Sequence, residues 1–289
     1  MTAQSTSPSR EPVAVITGGG GGVGLACAER LAATHRVVLG EASGERLASA
    51  LERLRTLGHE AVGVQCDVTD VASVGELARA VADAGDLRVL VNSAGLSPSM
   101  ADPWTILDVN LFGTIHVLDA MLPLAGRGTA AVCIASIAGW RRGIWTYDAL
   151  LADPLAADFR ARLSAEAGIE GHPGRGYALS KRAVILLVER RAHDWGRRGA
   201  RLVSISPGLV IDTPMGRLEA PRGASGLLSA SSLQREASAV DIANACAMLS
   251  SPDAAYVTGV DLRVDGGSIA GYLHHADVET LRAWDDPAY

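Results

Sequence analysis

The chain has 289 residues, of which 48% are hydrophobic and 20% are charged, and its formal net charge at neutral pH is -6. This composition predicts a folded protein with ample apolar material for a core and excludes a disordered chain. The mild acidity and the scattered basic residues argue against a nucleic-acid or membrane surface, since both need a basic face. The function class that remains is chemistry on a small molecule.

The chain ends and the cysteines indicate a cytoplasmic setting. Residues 1–11 are polar and lack the apolar segment of a signal peptide, so we expect a loose tail there, and no run reaches the length of a membrane span. Cys27, Cys66, Cys133 and Cys246 lie far apart in apolar segments without a Cys-x-x-Cys pair, as buried free thiols do.

Short β-branched runs alternate with alanine-rich helical patterns along the chain. The first half runs from the strand "VAVIT" through a helix from about Val23, "RVVLG", "GERLASALERLRTLG", "AVGVQCD" and a further helix to "LRVLVNSAG". The second half continues with a helix around "ILDVNLFGTIHVLDAMLPL", then "AAVCIAS", "YALSKRAVILLVERRAHDWG", "RLVSISPG", "AVDIANACAMLSS" and the last strand "GVDLRV". The strands are apolar throughout, which is typical of a parallel sheet buried on both faces. The sequence therefore predicts an α/β fold with a doubly wound parallel sheet in a single domain.

A run of glycines separates the first strand from the first helix. Five glycines stand in a row from Gly18 to Gly22, and Gly24 follows. Glycine at this place permits positive φ and close approach of the backbone to a pyrophosphate, which the free N–H groups of the helix start can bind. The alternative is a tight turn without a ligand.

An acidic residue follows the second strand. Glu41 lies about 20 residues after the glycines, where a carboxylate can accept hydrogen bonds from the ribose of an adenine nucleotide. It would repel a 2′-phosphate, and no basic residue lies between Gly18 and Gly24 or directly after Glu41 to bind one. NAD is therefore favoured over NADP. The alternative is that Glu41 is a solvated loop residue.

The stretch "GYALSK" places Tyr177 and Lys181 four residues apart, on one face of a helix. A tyrosine with an ordinary pKa near 10 is a poor base at neutral pH. A lysine ammonium one turn away, beside a positively charged nicotinamide, can stabilise the phenolate. Such a pair also occurs by chance on ordinary helix surfaces, so its weight comes from the other motifs.

Together these motifs resemble the short-chain dehydrogenase/reductase family over about residues 12 to 268. "TGGGGGVG" fits the glycine motif, and "CDV", "NSAG", "DVN", "IASIAG", "GYALSK" and "SPGLVIDTPM" follow in the family's order. The resemblance implies a Rossmann fold and, with Glu41, a cofactor site. The residues that it assigns to the cofactor are Gly18, Gly22, Val23, Gly24, Asp67, Val68, Asn92, Ala94, Gly95, Tyr177, Lys181, Pro207, Gly208, Val210 and Thr213.

The resemblance also implies the catalytic set and the reaction. Asn110 would support a proton-relay water, Ser136 would hydrogen-bond the reacting oxygen, Tyr177 would exchange its proton, and Lys181 would bind the nicotinamide ribose and lower the tyrosine's pKa. The implied activity is the NAD-dependent interconversion of a hydrophobic secondary alcohol and its ketone. An epimerase or dehydratase that retains bound NAD, or a non-catalytic NAD-binding sensor, is the alternative.

Two departures from the usual family pattern stand out. An insertion over about residues 140–175 separates Ser136 from Tyr177; it resembles the bacterial 3α-hydroxysteroid dehydrogenase/carbonyl reductase branch, which implies a homodimer more than a tetramer. Its apolar residues indicate one or two helices beside the mouth of the site. Pro207 and Thr213 are also one residue further apart than expected, so either Val210 or Ile211 could face the nicotinamide.

The substrate pocket is expected to be largely apolar, suited to a steroid-, terpenoid- or polyketide-like molecule. Its expected members are Leu96, Ser136, Trp140, Trp145, Tyr177, Leu209 and Met215. The alternative for the aromatic members is ordinary packing. The histidines form no ligand cluster, so no metal site is expected, and residues 269–289 are interpreted as a tail that could lie over the site or over a partner subunit.

Overall fold

The computed structural model describes residues 10–222 and 231–275. Seven parallel strands form one sheet in the order β3-β2-β1-β4-β5-β6-β7. The strands are β1 (Pro12–Thr17), β2 (Arg36–Glu41), β3 (Ala61–Gln65), β4 (Asp86–Asn92), β5 (Ala130–Ile134), β6 (Arg201–Pro207) and β7 (Asp261–Val264). The predicted doubly wound parallel sheet is confirmed.

Helices cover both faces of the sheet. They are α1 (Gly22–Leu31), α2 (Gly44–Thr56), α3 (Val71–Ala84), α4 (Pro103–Leu107), α5 (Gly113–Met121), α6 (Asp148–Leu151), α7 (Phe159–Ala167), α8 (Pro173–Gly196), α9 (Pro214–Glu219), α10 (Ala239–Ser250) and α11 (Ser268–His275). Two apolar cores result, one on each face. The central strand β1 contributes to both, because Val13 and Val15 point to one face and Ala14 and Ile16 to the other.

The strand order places a crevice at the carboxyl edge of the sheet. From β1 the chain winds through β2 to β3 in one direction, and from β4 it winds through β5, β6 and β7 in the other. β1 and β4 are neighbours in the sheet. The connection after β1 leads to one side of the sheet and the connection after β4 leads to the other, which leaves a crevice between them. Ligands of doubly wound sheets bind in such a crevice.

Within the described ranges, one helical stretch, Pro103–Leu124, is long and apolar enough to cross a membrane by length and composition. It packs instead as a core element, since Ile106, Leu111, Ile115 and Leu118 are almost completely buried. A π-helical turn at Asp108–Phe112 joins its α-helical parts. Such turns often occur at functional sites.

The insertion forms the expected helices, α6 and α7, after a 3₁₀ segment at Arg142–Tyr147. Phe159 and Leu163 are buried, and the Phe159 ring meets Phe112 edge to face at 6.0 Å. Leu155, which the apolar pattern places on the same stripe, is 63% exposed because it lies in the turn between the two helices.

The chain ends differ in how much of them is described. The expected tail at residues 1–11 lies outside the described residues except for its last two, and β1 begins at Pro12. The expected tail at residues 269–289 begins as helix α11, in which Ile269 and Tyr272 are buried. Residues 276–289 lie outside the described residues.

Candidate active site

A cavity of about 1120 Å³ opens at the crevice between β1 and β4. Its wall includes Glu41, Met215 and Tyr272. The predicted site residues that line it are Gly18, Gly22, Val23, Gly24, Glu41, Asp67, Val68, Ala94, Gly95, Leu96, Ser136, Tyr177, Lys181, Pro207, Gly208, Leu209, Val210, Thr213 and Met215. Four predicted residues, Asn92, Asn110, Trp140 and Trp145, do not line it.

The glycine turn carries the start of α1 close to β1 and β4. Gly18 has φ of +64°, and a Cβ there would lie 2.8 Å from the Cα of Ala94. A Cβ at Gly24 would lie 2.2 Å from the carbonyl oxygen of Gly18, closer than any side chain tolerates. No side chain caps the first N–H groups of α1, so these donors remain free to bind an anion in the cavity.

Glu41 is held tightly at the end of β2. Its residue is 4% exposed, and its Oε2 accepts a hydrogen bond from the Gly20 N–H at 3.1 Å. Its Oε1 accepts from the Ser43 N–H at 3.0 Å and from the Arg46 guanidinium at 2.6 and 3.1 Å. Arg46 also lines the cavity, which was not predicted from the sequence, because Arg46 does not follow Glu41 directly but lies in the first turn of α2.

The strand ends beside Glu41 form the next part of the cavity wall. Asp67 and Val68 follow β3, and the Asp67 carboxylate accepts hydrogen bonds from the N–H and hydroxyl of Thr69 at 2.9 and 2.8 Å. Val68 is buried beneath the cavity. Cys66, also in the wall, was predicted only as a buried thiol, and burial raises its pKa.

Asn92 lies behind the cavity wall and not in it. Its Oδ1 accepts a hydrogen bond from the Thr17 hydroxyl at 2.7 Å, and its Nδ2 donates to the Thr114 hydroxyl at 2.8 Å. Thr17 in turn accepts hydrogen bonds from the N–H groups of Ser93 and Ala94 at 3.2 and 3.3 Å. Asn92 therefore fixes the ends of β1 and β4 under the cavity.

Asn110 also supports the site from behind. Within the π-helical turn, its side-chain oxygen accepts from the Leu96 N–H at 2.8 Å, and its amide donates to the Leu96 carbonyl at 3.0 Å and to the Ser180 hydroxyl at 3.1 Å. Gly95 separates it from the cavity: a Cβ there would lie 3.1 Å from Asn110 Oδ1 and 3.5 Å from Lys181 Nζ. Asn110 therefore fixes the loop after β4 beside the lysine.

Ser136, Tyr177 and Lys181 lie together in the cavity wall. Ser136 follows β5, and its hydroxyl accepts a hydrogen bond from the Ala138 N–H at 3.1 Å and is hydrogen-bonded to Tyr177. The one-turn spacing on α8 places Lys181 Nζ 5.7 Å from the centroid of the Tyr177 ring. The ammonium donates to the Ile134 carbonyl at 2.9 Å. The 26 lysine and arginine residues of the chain include a single lysine, Lys181.

Burial is the main influence on the pKa values of Lys181 and Tyr177. It lowers the pKa of Lys181 from 10.5 to about 8, because the ammonium loses water and gains one carbonyl. It also raises the pKa of Tyr177, while the hydrogen bond with Ser136 acts in the opposite direction. The protein alone therefore does not supply the lowered tyrosine pKa that proton abstraction needs at neutral pH.

The segment after β6 closes the far side of the cavity. Thr213 caps α9: its hydroxyl accepts from the Gly216 N–H and donates to the Val210 carbonyl, both at 2.9 Å. Val210 lines the cavity and Ile211 does not, which favours Val210 as the residue that faces a nicotinamide. The extra residue between Pro207 and Thr213 is accommodated in this turn.

The two tryptophans that were expected in the substrate pocket pack outside it. Trp140 donates from Nε1 to the Asp261 carboxylate at 2.9 Å and lies under the Arg263 guanidinium at 4.8 Å. Trp145 meets the Trp140 ring edge to face at 6.2 Å. Trp140 thus packs against charged residues of β7 at the edge of the sheet, and Trp145 packs against Trp140. Neither tryptophan lines the cavity, in contrast to the prediction that both belong to the substrate pocket.

The pocket wall contains two charged side chains that the sequence analysis did not include. Glu219 lines the cavity and accepts a hydrogen bond from the Ser99 N–H at 2.9 Å, which joins α9 to the loop after β4. Arg141 also lines it. Glu219 raises the pKa of Tyr177 and Arg141 lowers it, so both charges reach the phenol electrostatically. Tyr272, from α11, adds an aromatic wall that the interpretation as a tail did not assign.

The cavity fits a nicotinamide dinucleotide. Uncapped N–H groups at the glycine turn suit a pyrophosphate, the Glu41 carboxylate suits a ribose, and the Tyr177 and Lys181 pair lines the same cavity. In residues 10–222 and 231–275, no group of three His, Cys, Asp or Glu side chains converges as metal ligands do.

Comparisons with known proteins agree with this geometry. Residues 12–148 match the family model described as short chain dehydrogenase, and residues 161–268 match a model described as Enoyl-(Acyl carrier protein) reductase. The chain is 33% identical over 230 residues to the 3-alpha-hydroxysteroid dehydrogenase/carbonyl reductase of Comamonas testosteroni, covering 74% of this chain and 88% of that relative.

Two solved structures share the fold over nearly the whole chain. A variant of the actinorhodin polyketide ketoreductase with NADPH superposes with a TM-score of 0.71 at 27% identity, covering 89% of this chain and 97% of that one. A 7α-hydroxysteroid dehydrogenase complexed with NADH and 7-oxo glycochenodeoxycholic acid gives 0.70 at 25% identity, covering 89% and 93%. The chain therefore belongs to the short-chain dehydrogenase/reductase family, whose enzymes are oxidoreductases acting on CH–OH and carbonyl groups.

Proposed function

We propose that this enzyme interconverts a hydrophobic secondary alcohol and its ketone, with NAD as the preferred cofactor and Tyr177 as the general acid and base. One observation carries the proposal: Ser136, Tyr177 and Lys181 lie together in the same cavity that reaches Glu41. Apolar side chains, among them Leu96, Leu209 and Met215, line the same cavity.

Each residue of the set has a distinct task. In the oxidation direction the Tyr177 oxygen takes the hydroxyl proton, while Ser136 donates a hydrogen bond to the same substrate oxygen as it becomes a carbonyl. Bound nicotinamide supplies the hydride acceptor for the carbon. Lys181 holds a positive charge near the phenol and binds the ribose next to the nicotinamide. Reduction reverses both transfers, so the proton returns from Tyr177 to the alkoxide oxygen.

The preference for NAD is supported by Glu41. Its carboxylate lines the cavity, where it would accept hydrogen bonds from the adenosine ribose and repel a 2′-phosphate. The relatives include proteins crystallised with NADPH and with NADH, so the preference depends on residues of this chain.

The substrate class is supported by the wall beyond Tyr177. Leu96, Leu209, Met215 and Tyr272 give this end an apolar surface, and Arg141 and Glu219 add two charges near the phenol. A ring-bearing alcohol or ketone, such as a steroid, terpenoid or polyketide, matches the apolar walls.

The test is a rate measurement with matched tyrosine variants. Initial rates at the NADH absorbance band, with NAD and NADP offered separately, are compared across 3-hydroxysteroids and polycyclic ketones. Tyr177→Phe should lower kcat/KM at least about a hundredfold, because it removes the proton acceptor. NAD affinity, measured by calorimetry, should stay the same.

Tyr256→Phe is the control, since Tyr256 is fully exposed and lies outside the cavity wall. Residual activity of Tyr177→Phe above about a hundredth of wild type would contradict the assigned role. NAD binding without net NADH formation on any alcohol would favour an epimerase or dehydratase instead.

We also propose a cytoplasmic homodimer. The dimer is supported by the helical insertion between β5 and α8, which resembles that of the 3α-hydroxysteroid dehydrogenase/carbonyl reductase branch, and the cytoplasmic setting is supported by the four buried free cysteines. Mass measurement by light scattering at several concentrations tests the dimer against the tetramer.

A further inference from the structure

We infer that the substrate carries a carboxylate, which Arg141 binds while the reacting carbonyl group lies at Ser136 and Tyr177. The inference rests on the proposed function, because it concerns the substrate of that same site. It narrows the proposed class from hydrophobic alcohols and ketones in general to hydroxy acids and keto acids with an apolar skeleton.

The chain fixes Arg141 close to the reacting group. A single 3₁₀ turn, Ile137–Trp140, connects Ser136 to Arg141. The Ser136 hydroxyl caps the start of this turn by accepting from the Ala138 N–H at 3.1 Å. The Arg141 N–H closes its end by donating to the Ala138 carbonyl at 3.4 Å. Ser136 and Arg141 both line the cavity, so one short segment carries the hydroxyl for the reacting oxygen and the cation for a second substrate group.

The same turn packs directly on the helix that carries Tyr177. A Cβ at Gly139 would lie 2.8 Å from the backbone nitrogen of Arg182, so only a glycine lets the turn approach α8 this closely. Backbone contact of this kind leaves the turn little room to shift. Arg141 is therefore held at a fixed place relative to Tyr177, which a specific contact with a second group of the substrate needs.

The charges around the phenol favour a ligand with one negative charge. Arg141 and Lys181 contribute two positive charges to the cavity wall, and Glu219 contributes one negative charge. The Glu219 carboxylate already accepts a hydrogen bond from the Ser99 N–H at 2.9 Å. The balance attracts a carboxylate. A phosphate dianion would be repelled more strongly by Glu219.

The apolar wall strengthens the contact between the guanidinium and a carboxylate. Arg141 is half-buried, and Leu96, Leu209 and Met215 line the same cavity. Apolar surroundings lower the local dielectric, so opposite charges attract each other more than they do in water. A planar guanidinium can also donate two parallel hydrogen bonds to one carboxylate. The wall therefore suits a molecule with an apolar skeleton, a C–O group that reacts at Tyr177, and a carboxylate that reaches Arg141.

The first test is binding, measured by calorimetry on the full chain saturated with NAD. A ketone cannot accept hydride from the oxidised cofactor, so its affinity is measured without turnover. The probes are ketones in matched pairs, each as a carboxylic acid and as its carboxamide. They include 4-acetylbenzoic acid, acetylphenyl acids with longer side chains, and 3-oxo-5β-cholanoic acid. Wild type, Arg141→Met and Arg141→Lys are compared, and circular dichroism confirms that each variant is folded.

Wild type should bind at least one acid at least about tenfold more tightly than its amide. Arg141→Met should bring the affinity for that acid down to the affinity for the amide. Arg141→Lys should keep part of the preference, because the charge remains while the planar pair of donors is lost. Arg55→Met is the control and should keep the whole preference, since Arg55 pairs with Glu52 and lies outside the cavity wall. No preference for the acid in any pair, or one that Arg141→Met leaves unchanged, would overturn the inference.

Turnover of the same pairs separates this inference from the proposed function. Initial rates of NADH oxidation by wild type should show the same preference for the acid in kcat/KM. Tighter binding of the acid that depends on Arg141, without turnover of any ketone, would support the carboxylate site and contradict the proposed reaction. Turnover of acid and amide with equal kcat/KM would overturn the carboxylate site and leave the proposed reaction in place.

Discussion

Replacing Lys181 with methionine should abolish turnover and yet stabilise the cofactor-free protein at neutral pH. Lys181 is 6% exposed as a residue, and its ammonium donates to the Ile134 carbonyl at 2.9 Å. Burial lowers its pKa from 10.5 to about 8. The native state thus binds this proton less tightly than the unfolded state does. Folding is therefore opposed wherever the lysine is protonated in both states, which is below about pH 8.

The size of the effect follows from the two pKa values. The difference between 10.5 and about 8 corresponds to about 3 kcal/mol of free energy of unfolding. Methionine has a similar shape but leaves the Ile134 carbonyl without a donor, which costs about 1 kcal/mol. Lys181→Met should therefore be more stable than wild type by about 2 kcal/mol at pH 7.

The advantage should disappear in alkali. As pH rises from about 8 to 10.5, the native lysine loses its proton while the unfolded lysine keeps it, so wild type gains stability with pH. Above that window the lysine is neutral in both states, and the lost hydrogen bond to Ile134 leaves the variant less stable by about 1 kcal/mol.

The assay is urea unfolding followed by tryptophan fluorescence at pH 7 and pH 10, at one protein concentration because association shifts stability. Arg55→Met, which removes an exposed partner of Glu52, is the control. Selective ¹³C-lysine labelling gives a second readout, since one side-chain resonance reports the titration directly. A variant less stable than wild type at pH 7, or a stability difference that does not change with pH, would refute the reasoning.

Two further predictions concern the cavity wall and its surroundings. Gly24→Ala should weaken NAD binding at least tenfold in calorimetry, because its Cβ would lie 2.2 Å from the Gly18 oxygen and must displace the helix start; Gly75→Ala, with no atom within 4 Å, should leave NAD binding unchanged. Trp140→Phe should lower the free energy of unfolding by about 1–2 kcal/mol, because it removes the hydrogen bond to Asp261 and weakens the contact with Arg263. It should change kcat/KM less than threefold. A larger effect on kcat/KM than on stability would indicate that Trp140 contacts the substrate.

Local signals predicted the scaffold well. The apolar strands require burial on both faces, and a glycine run between strand and helix has few conformations open to it, so the sheet and the turn at Gly18 follow from short stretches. The helical spacing of Tyr177 and Lys181 likewise fixes their separation before any tertiary contact forms.

Residues whose position depends on distant partners were harder to predict. Trp140 is drawn from the pocket by Asp261, which lies 121 positions away in the chain. Arg46 returns to Glu41 only because Ser43 starts a helix between them. Asn92 has the polarity of a ligand-binding residue, but its partner is Thr17 on the neighbouring strand. In each case a hydrogen bond that sequence spacing does not show decides where the side chain lies.

The single lysine makes the active site chemically distinct from the rest of the molecule. Every ion pair between described side chains uses an arginine, which keeps its charge and does not react with amine-directed reagents under conditions that the fold survives. Lys181 therefore carries the one side-chain amine available to such a reagent, and its lowered pKa keeps part of that amine in the reactive, neutral form near pH 8. A cofactor that covers the amine would slow the modification, so the rate of labelling becomes a measure of how much of the enzyme is occupied.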